Sequence, residues 1–194
     1  MIGRRALGLA AAMVPLRPLQ AQEHPPPLPL RDVDVTYTIP TPRGAVRQRL
    51  RFSAARSMMR IDPPGDGLYV VIDFGTGRMF TVRAADRSVI EMAAPKTWMH
   101  GLDAGRSTPA RYTRRNAIVV SDVSCTEWQT TDSEGRDVRI CIDQDGVTIR
   151  VNLQTQTGEA TLALATEIRR EGQGMALFAV PDSYRRLTSP AGTR

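Results

Sequence analysis

Residues 33–52 read VDVTYTIPTPRGAVRQRLRF, two runs of alternating apolar and polar residues joined by a short turn. An alternation of period two predicts half-buried β-strands, and two such runs around a short turn predict a hairpin. If Ile39 faces Val46, one face carries apolar side chains only, and the other pairs threonines with arginines and Asp34 with Arg51. In this register one face of the hairpin is apolar and the other polar, so the row of arginines is interpreted as a solvated face.

The same alternation continues to about residue 169 and predicts ten to twelve strands of an antiparallel sheet in an all-β fold. The stretch from Gly67 to Phe74 is apolar on both faces, because Tyr69 and Val71 alternate with the apolar side chains of the other face. Both sides of the sheet must therefore be covered there. The short segment Pro95–Leu102, PKTWMHGL, is the helix-like candidate for this cover.

The chain of 194 residues is long enough for one well-filled core and is expected to form a single domain over residues 32–188. Residues 1–21 have a basic start, a short apolar stretch and a small-residue end, which predicts a cleavable signal peptide and a periplasmic or secreted protein. Residues 22–31 are rich in proline and predict a stiff linker, and residues 189–194 a disordered tail.

The formal net charge of +6 falls to +3 when the three arginines of the predicted signal peptide are subtracted. The remaining arginines are dispersed, and aromatic residues make up only 5% of the chain, so a nucleic-acid-binding sheet is not expected. The apolar stretch of the leader is about half as long as a membrane-spanning helix, so no stable membrane span is predicted either.

The chain has two cysteines, Cys125 and Cys141, which in an exported protein predict a disulfide rather than thiol chemistry. Pairing them directly across a hairpin with its turn at DSEG places Glu127 opposite Arg139 on the same, outward face. Trp128 and its apolar neighbours then point inward. The bond is expected to clamp the hairpin.

No enzyme is predicted, because no residue is marked as catalytic and no base accompanies a nucleophile. His24 and His100 are the two histidines, and their spacing completes no zinc site, so no metal and no cofactor are expected. Asp143, Asp145 and Gly146 resemble a fragment of a calcium loop, but the glutamate expected at the twelfth position of such a loop is missing. A hairpin turn is the preferred interpretation.

Methionine supplies the compositional indication of binding, because its flexible, polarizable side chain suits an adaptable apolar pocket. Five methionines fall in the first half of the fold, near the strand that is apolar on both faces: Met58, Met59, Met79, Met92 and Met99. Ordinary core filling is the alternative. The candidate cavity-lining residues are Met58, Met59, Leu68, Val70, Ile72, Phe74, Met79, Trp98 and Met99.

The layout of Cys125 with Trp128, Cys141 followed by DQDGV, and the closing LFAVPDSY at residues 177–184 resembles periplasmic domains related to the LolA/LolB-like superfamily of lipoprotein carriers. The resemblance implies a strongly curved, open half-barrel whose concave side takes a lipid or acyl chain under a small helical lid. It implies a periplasmic binding or carrier module for a hydrophobic ligand. The alternative is a structural module of the cell envelope that docks a partner envelope protein.

Overall fold

The protein is described by a computed structural model covering residues 24–94 and 111–188. The predicted signal peptide, the predicted helix Pro95–Leu102 and the predicted tail lie outside these residues. Within them no helix is long and apolar enough to cross a membrane. The strands are β1 (Val33–Thr41), β2 (Gly44–Ser53), β3 (Met58–Asp62), β4 (Leu68–Asp73), β5 (Arg78–Arg83), β6 (Ser88–Ala93), β7 (Thr113–Val120), β8 (Val123–Thr131), β9 (Asp137–Ile142), β10 (Thr148–Thr155), β11 (Gly158–Arg169) and β12 (Arg185–Thr188), with one 3-10 turn at Met175–Phe178.

The twelve strands form one open sheet in the order β12-β6-β5-β4-β3-β2-β1-β11-β10-β9-β8-β7. Two meanders, β1–β6 and β7–β11, are joined where β1 pairs with β11. The prediction of an all-β fold with ten to twelve strands is confirmed. The pairing is antiparallel except at the edge, where β12 lies parallel to β6.

The first hairpin has the register that the sequence predicts. Ile39 lies opposite Val46, and Asp34 lies opposite Arg51. A slip of one residue would have placed the arginines in the core, so the alternation excludes such a slip, and the short turn limits larger shifts.

Most of the core is a single hydrophobic cluster, here called the main cluster, to which both meanders contribute. The Tyr37 hydroxyl crosses it and donates a hydrogen bond to the Thr148 carbonyl oxygen at 3.0 Å. Burial raises the pKa of Tyr37, since its ionised form would be poorly solvated there. The buried members are Val33, Val35, Tyr37, Leu50, Phe52, Met59, Ile61, Ile72, Val120, Cys125, Cys141, Val147, Ile149 and Ala165.

The predicted disulfide between Cys125 and Cys141 is present, with the Cα atoms 5.5 Å apart. The predicted register is wrong by two residues, because Glu127 lies opposite Cys141 and Arg139 lies opposite Gln129. The two cysteines are therefore diagonal neighbours, which the twist of the strand pair brings together. A shift of two residues leaves every side chain on its own face, so alternation cannot detect it.

The disulfide also lies on a buried face rather than the predicted outward one. Cys125 and Cys141 belong to the main cluster and are at most 4% exposed. Trp128 and Ile140 point to the opposite face of β8 and β9, where they form a second buried cluster with Val138, Ile142 and Val151. Both faces of this hairpin are thus packed.

The segment 170–184 crosses from β11 to β12 and covers part of the second face of the first meander. The Arg60 guanidinium lies 3.9 Å from the centroid of the Tyr69 ring and donates a hydrogen bond to Leu177 O at 2.9 Å. Tyr69 donates to Ala179 O at 3.1 Å, and Phe178 is buried. Among the described residues, an irregular crossing segment with a 3-10 turn therefore covers part of this face, and the predicted helix lies outside them.

Candidate hydrophobic ligand site

An apolar row runs across six neighbouring strands of the first meander. Each member lies directly opposite the next one: Val33, Phe52, Met59, Ile72, Met79 and Met92. At about 4.8 Å per strand the row is roughly 24 Å long. Its inner end, on β1–β4, is at most 2% exposed, whereas Met79 and Met92 at its outer end are half-buried.

The residues predicted to line a cavity are only partly brought together. Met59 and Ile72 lie in the apolar row and are fully buried. Val70, Phe74 and Met79 are half-buried and pack against the main cluster.

The remaining predicted lining residues lie elsewhere. Met58 is on the opposite face of β3, because it alternates with Met59, and Leu68 is 38% exposed at the start of β4. Trp98 and Met99 lie outside the described residues. Met92 was in the predicted methionine group but not among the lining residues, and its position opposite Met79 follows only from the register of β5 and β6.

The inner end of the row is closed by residues Pro25–Leu30, here called the proline strap. Pro25 and Pro26 are buried, and Leu28 packs against the main cluster. Pro27 and Pro29 line a cavity of about 20 Å³ together with residues of β1–β3 and of the β9–β10 turn. This volume suits about one water molecule, so side chains and the strap fill the inner end.

Met92, at the outer end of the row, also borders a larger depression of about 420 Å³ at the edge of the sheet, here called the outer groove. Its lining residues combine apolar Met92 and Leu187 with charged Arg78, Glu91 and Arg186. Arg78 and Glu91 alternate with Met79 and Met92 along β5 and β6, so they lie on the opposite face of the sheet.

The cations of the outer groove are arranged around an aromatic ring. Arg78 donates from Nε to Glu91 Oε1 at 2.7 Å. The guanidinium carbons of Arg78 and Arg186 lie 5.1 and 5.7 Å from the centre of the Phe80 ring. Cation–π contacts of this kind hold the two side chains beside the groove.

The face of arginines predicted to be solvated is instead an ion-pair network that is partly buried. Asp34 accepts from Arg49 Nε at 2.8 Å and lies 3.5 Å from Arg51 Nε. Arg51, whose side chain is 11% exposed, also donates to Asp62 at 2.7 Å. Burial by itself would raise the pKa of Asp34, but the hydrogen bond from Arg49 and the nearby arginine charges hold it below its usual value.

The turn that resembled a fragment of a calcium loop is a hairpin turn held by its own protein contacts. Asp143 Oδ1 accepts hydrogen bonds from Asp145 N and Val147 N at 2.9 and 2.8 Å. Arg170 pairs with both Asp143 and Asp145. In the part of the chain that the structure describes, no three His, Cys, Asp or Glu side chains are grouped as metal ligands.

No protein-family model matches the chain, and no curated protein matches it in sequence. Its fold is similar to that of an uncharacterised conserved protein from Thermus thermophilus, with a TM-score of 0.60 and 10% identity over 82% of this chain and 91% of that one. MucB, which has a LolA-like fold, is similar with a TM-score of 0.50 and 12% identity over 80% of this chain and 59% of MucB. PNGF-II is similar with a TM-score of 0.50 and 8% identity over 83% of this chain and 31% of its own. At these identities the likeness concerns the fold alone, and it is a weak resemblance to LolA-like folds.

Proposed function

We propose that the protein is a non-catalytic binding or carrier module of the cell envelope for a hydrophobic ligand, a lipid or the acyl chain of a lipoprotein. The observation that carries this proposal is the apolar row, which runs from the buried core at β1 to the half-buried Met79 and Met92 on β5 and β6. The predicted signal peptide would place such a module in the periplasm. The likeness to the LolA-like fold of MucB supports the proposal at the level of fold.

The chemistry of the row suits a flexible apolar chain. Burying each methylene group contributes about 0.8 kcal/mol, so several groups are needed for useful affinity. Met79 and Met92 can adjust to a chain through their rotatable bonds. Arg78 and Arg186 would remain at the polar rim of the groove, in contact with water.

Palmitate binding to the mature, disulfide-bonded protein tests the proposal, together with native mass spectrometry of protein purified from the periplasm. A bound lipid and a saturable rise in melting temperature are expected. Met92→Arg should weaken binding by about tenfold or more, because it places a charge on the apolar row. Leu162→Arg, at a position on β11 that is 36% exposed, is the control and should bind as the wild type does. If no lipid co-purifies and palmitate leaves the melting temperature unchanged, the proposal is wrong.

A structural or protein-docking module is the second candidate, and the filling of the inner end favours it. A cavity of about 20 Å³ has no room for an acyl chain while the strap is in place. Pull-down from envelope extracts separates the two candidates. A partner retained equally by the wild type and Met92→Arg, with no lipid bound, would favour docking.

A further inference from the structure

We infer that the proline strap, Pro25–Leu30, is a displaceable plug that controls access to the inner end of the apolar row. This inference rests on the proposed function and adds regulation to the same site. It predicts a closed form, which the structure shows, and an open form in which an apolar chain takes the place of the strap.

The strap occupies the position that a ligand would need. Pro27 and Pro29 face Val35, Leu50 and Met59 across the small cavity. Leu28 packs against the main cluster from the same side. Removing the strap would expose this apolar surface, which then requires another apolar cover.

The strap is attached by few polar contacts, and its sequence explains why. Four of its six residues are prolines, which have no N–H and cannot join a β-ladder. Leu30 N–H donates to Asp145 O at 2.8 Å, and among the described residues Leu28 N–H has no hydrogen-bond partner. Arg31 adds an ion pair to Asp145 at 3.0 Å, but its side chain is 60% exposed, so this pair contributes little.

The β9–β10 turn lies beneath the strap and is stabilised by contacts that do not involve the strap. Asp143 N donates to Val147 O at 2.9 Å, and the Asp143 carboxylate accepts two further N–H groups of the same turn. Arg170 fixes the turn from the other side. Release of the strap therefore leaves the turn and the apolar surface beneath it folded. A proline-rich segment loses little conformational entropy when it binds again.

Amide hydrogen exchange followed by NMR tests the release of the strap without any ligand. The Leu30 amide should exchange about 100-fold faster than the Val147 amide, because strap opening needs no unfolding of the turn. Saturating palmitate should speed the exchange of Leu30 further and leave Val147 unchanged. Equal protection of the two amides, or slower exchange of Leu30 with palmitate, would overturn the plug.

Two variants test its effect on affinity. A chain that lacks Pro25–Leu30 should bind palmitate about tenfold more tightly or better, because the binding-competent fraction rises. Leu28→Ser should shift the affinity for palmitate in the same direction by a smaller factor, because it removes the contact of the strap with the main cluster. It replaces the deletion as the test if near-UV circular dichroism shows that the deletion impairs folding. Arg136→Ala removes the ion pair of the half-exposed Arg136 side chain with Asp132 in the β8–β9 turn, away from the strap, and is the control.

The outcomes separate the two proposals. Equal binding by the wild type and both strap variants overturns the plug and leaves the proposed function standing. Binding by neither the wild type nor the strap variants overturns the proposed function, and with it the role of the plug.

Discussion

Gly135 and Gly146 occupy the same position in two hairpin turns of one geometry, with φ of +79° and +80°. Each donates its N–H to the carbonyl oxygen of an aspartate three residues earlier at 3.1 Å, and each aspartate caps two N–H groups of its turn. A Cβ added at Gly135 meets no described atom within 4 Å, whereas one at Gly146 lies 2.9 Å from Leu28 O. The two turns differ in what covers them.

This pair separates the cost of a left-handed backbone from the cost of strap contact. Gly135→Ala should lower the free energy of unfolding by about 1–2 kcal/mol, the ordinary penalty for this conformation. Gly146→Ala should cost about 1 kcal/mol more, because its Cβ presses on Leu28 and Pro26. Urea denaturation of both variants measures the difference. Equal losses would mean that the strap moves aside freely, and the Leu30 amide would then exchange faster in Gly146→Ala only.

The disulfide should stabilise the fold mainly by restricting the unfolded chain. Its ends are separated by 16 positions, so a Cys125→Ala/Cys141→Ala double variant should lose about 3 kcal/mol of unfolding free energy. The loss should match that of the wild type under reducing conditions. A double variant as stable as the oxidised protein would contradict this role.

Asp34 should make stability depend on pH in the acid range. Its pKa is lowered in the folded protein, so its contribution is complete above the unfolded value of about 3.9 and is lost as the pH falls through the folded pKa. Asp34→Asn should cost about 3 kcal/mol at pH 7, because it leaves the Arg51 side chain without one of its two carboxylate partners. Denaturation curves from pH 7 to pH 2 should show the free energies of unfolding of the two proteins converging below about pH 4. Glu134→Gln, at an exposed turn carboxylate, is the control and should be about as stable as the wild type at pH 7.

Arg60 should hold the crossing segment against the sheet. Arg60→Ala removes both the hydrogen bond to Leu177 O and the contact with the Tyr69 ring, and should cost about 1–2 kcal/mol. Limited proteolysis should show faster cleavage within residues 170–184. Arg78→Ala is the matched control, because Arg78 also lies over a ring but makes no hydrogen bond to this segment. Equal cleavage of both variants would show that other contacts hold the segment.

The alternation of apolar and polar residues predicted strand pairing correctly where a slip in register would move charged side chains into the core. The register of β1 and β2 was predicted residue by residue, because a one-residue slip would bury arginines such as Arg49 and the short turn between the strands limits larger shifts. The register of β8 and β9 was missed by two residues, because Asp132 caps a longer turn than the sequence suggested. A two-residue shift leaves every side chain on the same face of the sheet, so the pattern of apolar and polar residues does not reveal it.

The candidate site was predicted less completely, because its residues come from several strands, and the pairing of those strands cannot be inferred from the sequence of any single segment. Met59, Ile72 and Met79 were predicted as cavity-lining residues, but their alignment with one another and with Met92 depends on three successive registers. The ion pairs of Arg51 with Asp34 and Asp62 likewise need β1, β2 and β3 together.

The sequence by itself determined the all-β fold, the first hairpin and the identity of the disulfide, because period-two alternation and a cysteine pair are local signals. Only the tertiary structure decided that the proline segment lies on Gly146, that the crossing segment covers Tyr69, and that both faces of the disulfide hairpin are buried. The first two of these contacts join residues that are far apart in the sequence. Such contacts arise from the way the sheet brings its two meanders and its connecting segments together, and no periodicity within one segment encodes them.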